Sequence, residues 1–234
     1  MSKILNILIV DDDLKLRSLL KKYLLEQGFF VSDAANTTEA DQAMIKDQFD
    51  AIILDLMMPG ENGLDFCKRL RHSGNNIPII MLSAQGEDVD KIIGLEMGMD
   101  DYLSKPFNPR ELVARIKAVT RRPQADTISS TETIYRVGRF DFDTVKRHLK
   151  SEKGQITALT SSEYDLLKAL VENANIPLSR GKIMQILHSK EFEIYDRSID
   201  VLVSRLRKLV EENPARPELI KTVWGVGYVF VSDI

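Results

Sequence analysis

The chain has 234 residues, 44% of them hydrophobic and 29% charged, with a formal net charge of −3. That length suits two domains of roughly 100–120 residues each, and the composition is that of a globular protein. No apolar run approaches the ~20 residues of a membrane span, no signal-peptide pattern opens the chain, and the lone Cys67 cannot form an intrachain disulfide, so a cytoplasmic protein without membrane insertion is expected.

The apolar run Ile4–Val10 ends in Asp11-Asp12-Asp13. A helix follows, with Leu16, Leu19, Leu20, Tyr23 and Leu24 on one side, closing at Gly28. Phe29–Ala34 reads as a second strand, and Thr37 or Thr38 caps a helix to about Asp47. The third strand, AIILDLMMPG, is apolar up to Asp55 before Pro59-Gly60 forces a turn, the pattern of a parallel strand covered on both faces. A helix from Gly63 to about Arg71, a strand Ile77–Ser83, a helix ending near Gly98, a strand Asp101–Ser104 and a helix from Pro109 to Arg122 complete the first half. Five strands alternating with five helices predict an α/β fold with a doubly wound, five-stranded parallel sheet.

In that fold Asp11, Asp12, Asp55, Ser83 and Lys105 all lie at carboxyl ends of strands and converge on one edge. Three carboxylates there repel one another unless a divalent cation neutralises them, and an oxygen-only set selects Mg²⁺, with Mn²⁺ as the alternative. A lysine and a hydroxyl beside it suit a phosphoryl group. The plainer reading of Asp11–Asp13 is a helix cap with favourable dipole charges, and Asp13 is assigned that role.

Residues 123–133 lack apolar periodicity and read as a linker. Short alternating strands follow, YRVGRFDFD from Tyr135, then VKRHLK and QITAL. Thr160 or Ser161 caps a helix, Ser179 caps a second from Arg180 to His188, a third starts at Arg197, and Leu219–Val231 makes a hairpin with the turn WGVG. On a helical wheel Ile199, Val203, Leu206 and Val210 form the buried face of the third helix, with Leu202 and Leu209 on its shoulder. Opposite lie Arg197, Val201, Ser204, Arg205 and Lys208, flanked by Asp200 and Arg207. Three helices followed by a hairpin are the order of a winged helix-turn-helix, an α+β unit whose third helix enters a DNA major groove. Charge gives no help: residues 1–122 hold 16 basic and 19 acidic residues, and residues 123–234 hold 16 of each.

The acidic pair, Asp55, Ser83 and Lys105 together resemble the receiver domain of bacterial two-component systems over residues 3–122, and the whole chain resembles the OmpR/PhoB family of response regulators, most visibly in RSIDVLVSRLRKLVEENP and KTVWGVGYVF. The expected division is a receiver over 1–122, the linker 123–133 and a winged-helix domain over 134–234. The resemblance implies that Asp55 accepts a phosphoryl group from a sensor histidine kinase, that Asp11 and Asp12 organise Mg²⁺, that Ser83 and Tyr102 report the switch, and that Lys105, before a cis Pro106, pairs with the phosphoryl group. It implies a phosphorylation-dependent homodimer through Lys91, Ile92, Leu95, Glu96, Asp100, Asp101, Glu111, Val113, Arg115 and Arg122, with Lys91–Glu111 and Asp101–Arg115 pairing between subunits. It places Arg197, Val201, Ser204, Arg205, Arg207, Thr222 and Gly227 at double-stranded DNA, and the loop 189–196 at RNA polymerase; Lys208, on the same outer face of the wheel, is expected at a DNA phosphate. Trp224 stands where the family often has Arg, so a guanidinium does not read the minor groove there. No enzyme acting on another substrate is expected: phosphotransferring hydrolases carry a second Asp two residues beyond the nucleophile, and here that residue is Met57. A constitutive regulator with a merely structural receiver is the other rival.

Overall fold

The computed structural model describes residues 3–84, 98–120, 134–187 and 197–232. The chain divides into two compact units, Met1–Arg122 and Pro123–Ile234. The helix expected after the fourth strand, the linker 123–133, the loop 189–196, and Lys91, Ile92, Leu95, Glu96 and Arg122 lie outside the described residues, as does the side chain of Arg197.

The first unit contains β1 (Asn6–Val10), α1 (Leu14–Glu26), β2 (Phe30–Ala34), α2 (Thr37–Lys46), β3 (Ala51–Asp55), α3 (Gly63–His72), β4 (Ile79–Ala84), β5 (Asp101–Lys105) and α4 (Pro109–Val119). The five strands form one parallel sheet in the order β2-β1-β3-β4-β5. Ile7–Val10 and Ala51–Leu54 are fully buried, as central strands covered on both faces must be. From β1 the chain winds to β2 on one side, and then crosses to β3 on the other. That reversal opens a crevice at the carboxyl ends of β1 and β3. Val10 pairs with Leu54, so Asp11 and Asp55 each stand one residue beyond the last paired rung of adjacent strands.

Local chemistry sets the helix starts. Asp13 caps α1, accepting from the amides of Lys15 and Leu16. The cap of α2 is Asn36, one residue before the expected threonines: its side chain accepts from the Glu39 amide, and the Glu39 carboxylate accepts from Ala35 N. Thr37 is instead the first helical residue and is buried. On α1, Leu19 is 67% exposed, and the covered face carries Leu20, Leu24 and Arg17.

The second unit opens with an antiparallel meander, β6 (Ile134–Val137), β7 (Phe140–Asp143), β8 (His148–Ser151) and β9 (Ile156–Ala158). The stretch YRVGRFDFD is a hairpin rather than one strand, because Gly138 takes a φ of +55° and turns the chain. There follow α5 (Ser161–Glu172), β10 (Leu178–Ser179), α6 (Arg180–Leu187), α7 (Arg197–Val210), β11 (Ile220–Val223) and β12 (Gly227–Phe230), the last two strands joining β10 in the order β10-β12-β11. Thr160 and Glu163 form a reciprocal capping box at the start of α5. The core joins Phe142, Tyr164 and Leu167 to Ile199, Val203 and Leu206 of α7 and to Ile220 and Phe230 of the hairpin.

Candidate functional sites

At the crevice, the carboxylate oxygens of Asp11, Asp12 and Asp55 come within 4.8 Å of one another. Asp11 and Asp55 are buried, whereas Asp12 is exposed. Lys105, at the end of β5, donates from Nζ to Asp11 Oδ2 and to Asp55 Oδ1, both at 2.8 Å. Its peptide bond to Pro106 is cis. Burial pushes the Asp55 carboxyl above its ordinary value; Lys105 pulls it back, and Asp11 and Asp12 push it further up. Burial also works against the Lys105 ammonium, but its hydrogen bonds to Asp11 and Asp55 outweigh that and hold its pKa above the usual lysine value.

Ser83 lies one residue past the Asp55–Leu82 rung of β3 and β4. Its hydroxyl is buried with no hydrogen-bond partner among the described residues. Tyr102 is half-buried on β5, next to Met81 of β4. Asp11, Asp12, Asp55, Ser83 and Lys105 thus gather at one edge of the sheet. An oxygen-only set of three carboxylates fits a hard divalent cation.

The residues expected at a dimer interface meet a different environment. Asp101 accepts from Arg115 Nη1 through both oxygens, at 2.7 and 2.8 Å, and Glu111 accepts from Arg115 Nη2 at 2.7 Å. The Asp101–Arg115 pair, expected between subunits, therefore closes within one chain, because α4 lays Arg115 directly over the start of β5. Asp100 is buried and accepts from Arg71 and from the Ile79 amide, and Val113 belongs to the core.

On α7 the expected inner face holds: Ile199, Val203, Leu206 and Val210 are buried, and Leu202 with them. The expected outer face does not hold throughout. Val201 is only 8% exposed, so the covered part of the helix is wider than its apolar stripe. Arg205 has a side chain only 12% exposed, and its Nη2 donates to the buried Glu163 of the capping box. Arg207 donates to the Ile220 carbonyl at 2.9 and 2.7 Å and to Thr222 Oγ1 at 2.9 Å. Asp200, Ser204 and Lys208 form the exposed stripe, at i, i+4 and i+8. Asp200 Oδ1 accepts from Arg180 Nε at 2.9 Å and from the Tyr228 hydroxyl at 2.6 Å. Burial, and then that bond to Asp200, push the Tyr228 phenol up to about 12. Gly227 does not face outward: a Cβ on it would stand 2.1 Å from the Leu178 carbonyl oxygen, so its smallness serves the β10–β12 pairing. Trp224, at the tip of the hairpin, is 90% exposed.

Arg71, Arg180 and Tyr228 were not among the residues expected, nor were Arg17 and Glu163. Arg17 donates to the Asp11 carbonyl, and Glu163 holds Arg205. Arg17 carries a legible signal, a cation in line with Leu20 and Leu24 on the apolar side of α1; Glu163 carries none beyond its capping-box spacing.

Residues 7–117 match the response regulator receiver domain, and residues 154–230 match the C-terminal domain of transcriptional regulatory proteins. The chain is 37% identical to the transcriptional regulatory protein AruR of Pseudomonas aeruginosa, over 99% of this chain and 98% of that one. It is 40% identical to the probable transcriptional regulator ycf27 of Cyanophora paradoxa, over 96% and 95%. Among solved structures it is similar to DrrB, an OmpR/PhoB homologue of Thermotoga maritima, with a TM-score of 0.50 and 30% identity over 98% of this chain and all of that one. A RitR mutant gives a TM-score of 0.74 at 25% identity, covering 97% and 99%.

Proposed function

The chain belongs to the OmpR/PhoB family of two-component response regulators acting on transcription, and from that premise we propose that Asp55 is the phosphoacceptor whose modification governs DNA binding. The observation that carries this reading is the pair of hydrogen bonds from Lys105 to Asp11 and Asp55. A single ammonium holds two buried carboxylates side by side at the mouth of the crevice, ready to face added negative charge.

In the proposed reaction an Asp55 carboxylate oxygen attacks the phosphorus of a phosphohistidine on a sensor kinase. The phosphorus–nitrogen bond breaks, and an acyl phosphate remains on Asp55. Lys105 faces the charge on the phosphoryl oxygens, and the Ser83 hydroxyl, unpartnered among the described residues, donates to one of them. Asp11, Asp12 and Asp55 would hold Mg²⁺, or Mn²⁺ in its place, which when bound supplies neutralisation of the phosphoryl charge. Tyr102, half-buried on β5, would change rotamer once Ser83 is engaged.

The output would be a homodimer through the face that β5 and α4 share with the helix expected after β4, which lies outside the described residues. The internal Asp101–Arg115–Glu111 cluster supports a role for that face as a rigid platform rather than as a set of free charges. DNA would receive α7 through its exposed stripe, with Ser204 and Lys208 outermost, and the hairpin through Trp224. The loop 189–196, outside the described residues, would meet RNA polymerase.

The test is labelling with a small acyl-phosphate donor and Mg²⁺. The protein should gain one phosphoryl group, Asp55→Asn should gain none, and only the labelled protein should gain affinity for its DNA. Label that persists in the mutant would sink the assignment.

A further inference from the structure

We propose that Arg17 is a positioning residue for the acidic pocket: it holds the Asp11–Asp13 turn in the shape that can bind a divalent cation. The proposal rests on the reading that this pocket binds such a cation. Arg17 sits on the covered side of α1 and is buried, a costly place for a guanidinium unless its donors are used. They are used on two elements. Nη1 donates to the Asp11 carbonyl at 2.5 Å, and Nε donates to Asp33 Oδ2 on β2 at 3.4 Å. The other Asp33 oxygen accepts from Lys21 at 2.6 Å, and these bonds, Lys21's first, hold the Asp33 carboxyl below its ordinary value.

The bond to Asp11 matters because of which peptide it fixes. The Asp11 carbonyl belongs to the planar unit that leads into Asp12, so its direction sets where the Asp12 Cα and carboxylate go. Asp12 is exposed, and its aim depends on that backbone. The remaining polar atoms of Asp11 are fixed as well: its amide donates to Ala34, Oδ1 accepts from the Asp13 amide at 2.8 Å, and Oδ2 accepts from Lys105. The Asp13 side chain caps the helix that follows the turn, and Arg17 reaches back from that helix to hold the Asp11 peptide itself. A lysine keeps the charge but lacks the planar fork that reaches the carbonyl and Asp33 together.

The experiment is a Mn²⁺ titration of the full chain, with free Mn²⁺ read by electron paramagnetic resonance and urea denaturation measured in parallel. Wild type, Asp12→Ala, Arg17→Lys and Asp33→Asn are compared. Wild type should bind and Asp12→Ala should not; if wild type fails to bind, or Asp12→Ala binds equally well, the cation reading of the pocket is wrong. With that reading intact, Arg17→Lys should weaken Mn²⁺ by about tenfold or more, the usual effect of losing a residue that orients a ligand, and Asp33→Asn should shift it the same way by less. Wild-type Mn²⁺ affinity in folded Arg17→Lys and Asp33→Asn overturns the proposal, whatever stability they lose. If Arg17→Lys does not fold, Asp33→Asn decides alone.

Discussion

The carbonyl oxygen of Asp55 lies 2.2 Å from the point where a Cβ on Gly63 would stand. Gly63 opens α3, and its amide donates to the Leu56 carbonyl, so helix and strand meet with no room for a side chain. Backbone contact therefore fixes the end of β3, and with it the height of Asp55 above the sheet. The neighbour is main chain and cannot swing aside.

Gly63→Ala is accordingly expected to displace α3 or the end of β3. Stability should fall by roughly 1–3 kcal/mol, as for overpacking elsewhere, measured by urea denaturation. Acyl-phosphate labelling of Asp55 should fall with it. Unchanged stability and labelling would show that the helix start yields freely.

Asp55 itself is expected to work against stability at neutral pH. Its folded-state carboxyl is raised, chiefly by burial, so the native protein holds the proton more tightly than the unfolded chain. Its favourable contribution is complete below the unfolded carboxylate pKa and is lost as pH rises through the folded value. Asp55→Asn should therefore be more stable than wild type at pH 7, and the gap should close toward pH 4. Urea midpoints across that range check the sign. A mutant less stable at pH 7 means that the Lys105 pair outweighs burial.

The Glu163–Arg205 pair is mostly shielded from solvent, and breaking it leaves the buried Glu163 without that cation. Arg205→Ala should cost about 3–5 kcal/mol, read by urea denaturation, although Glu163 keeps its bond to the Thr160 amide. The same variant should lose discrimination between cognate and scrambled DNA, because Arg205, tied to Glu163, sets the seat of α7. Specificity retained in the folded variant would show that the pair does not set the seat of α7.

Lys208 and Trp224 are exposed, and replacing either by alanine should change stability by no more than about 0.5 kcal/mol. Lys208→Ala should weaken binding to all DNA sequences alike and lower the salt dependence by about one counterion. Trp224→Ala should reduce affinity without changing the fold. Binding assays at several salt concentrations, with circular dichroism as the control, separate these outcomes.

The sheet was legible because apolar runs ending on Asp11, Asp55 and Ser83 alternate with helical periodicity, and parallel order then follows from connection length. The winged unit was less so. YRVGRFDFD reads as continuous alternation, and only the positive φ of Gly138 shows the turn inside it. The wheel of α7 found Ile199, Val203 and Leu206, since a single apolar stripe is a property of sequence. It left Val201 and Arg205 on the outside, since covering by more than one neighbour is not.

For the pocket, sequence by itself determined which chemical groups reach the carboxyl edge: Asp11, Asp12, Asp55, Ser83 and Lys105 end strands whose direction the connections dictate. Only the tertiary structure decided their partners. Strand register brings Asp11 level with Asp55, Lys105 spans both, and Arg17 grips the turn from below. It likewise closed Asp101 on Arg115 within one chain and Glu163 on Arg205. Periodicity fixes the side of an element on which a residue lies. Hydrogen bonds form over about 3 Å and depend on how elements dock, which no single stretch of sequence specifies.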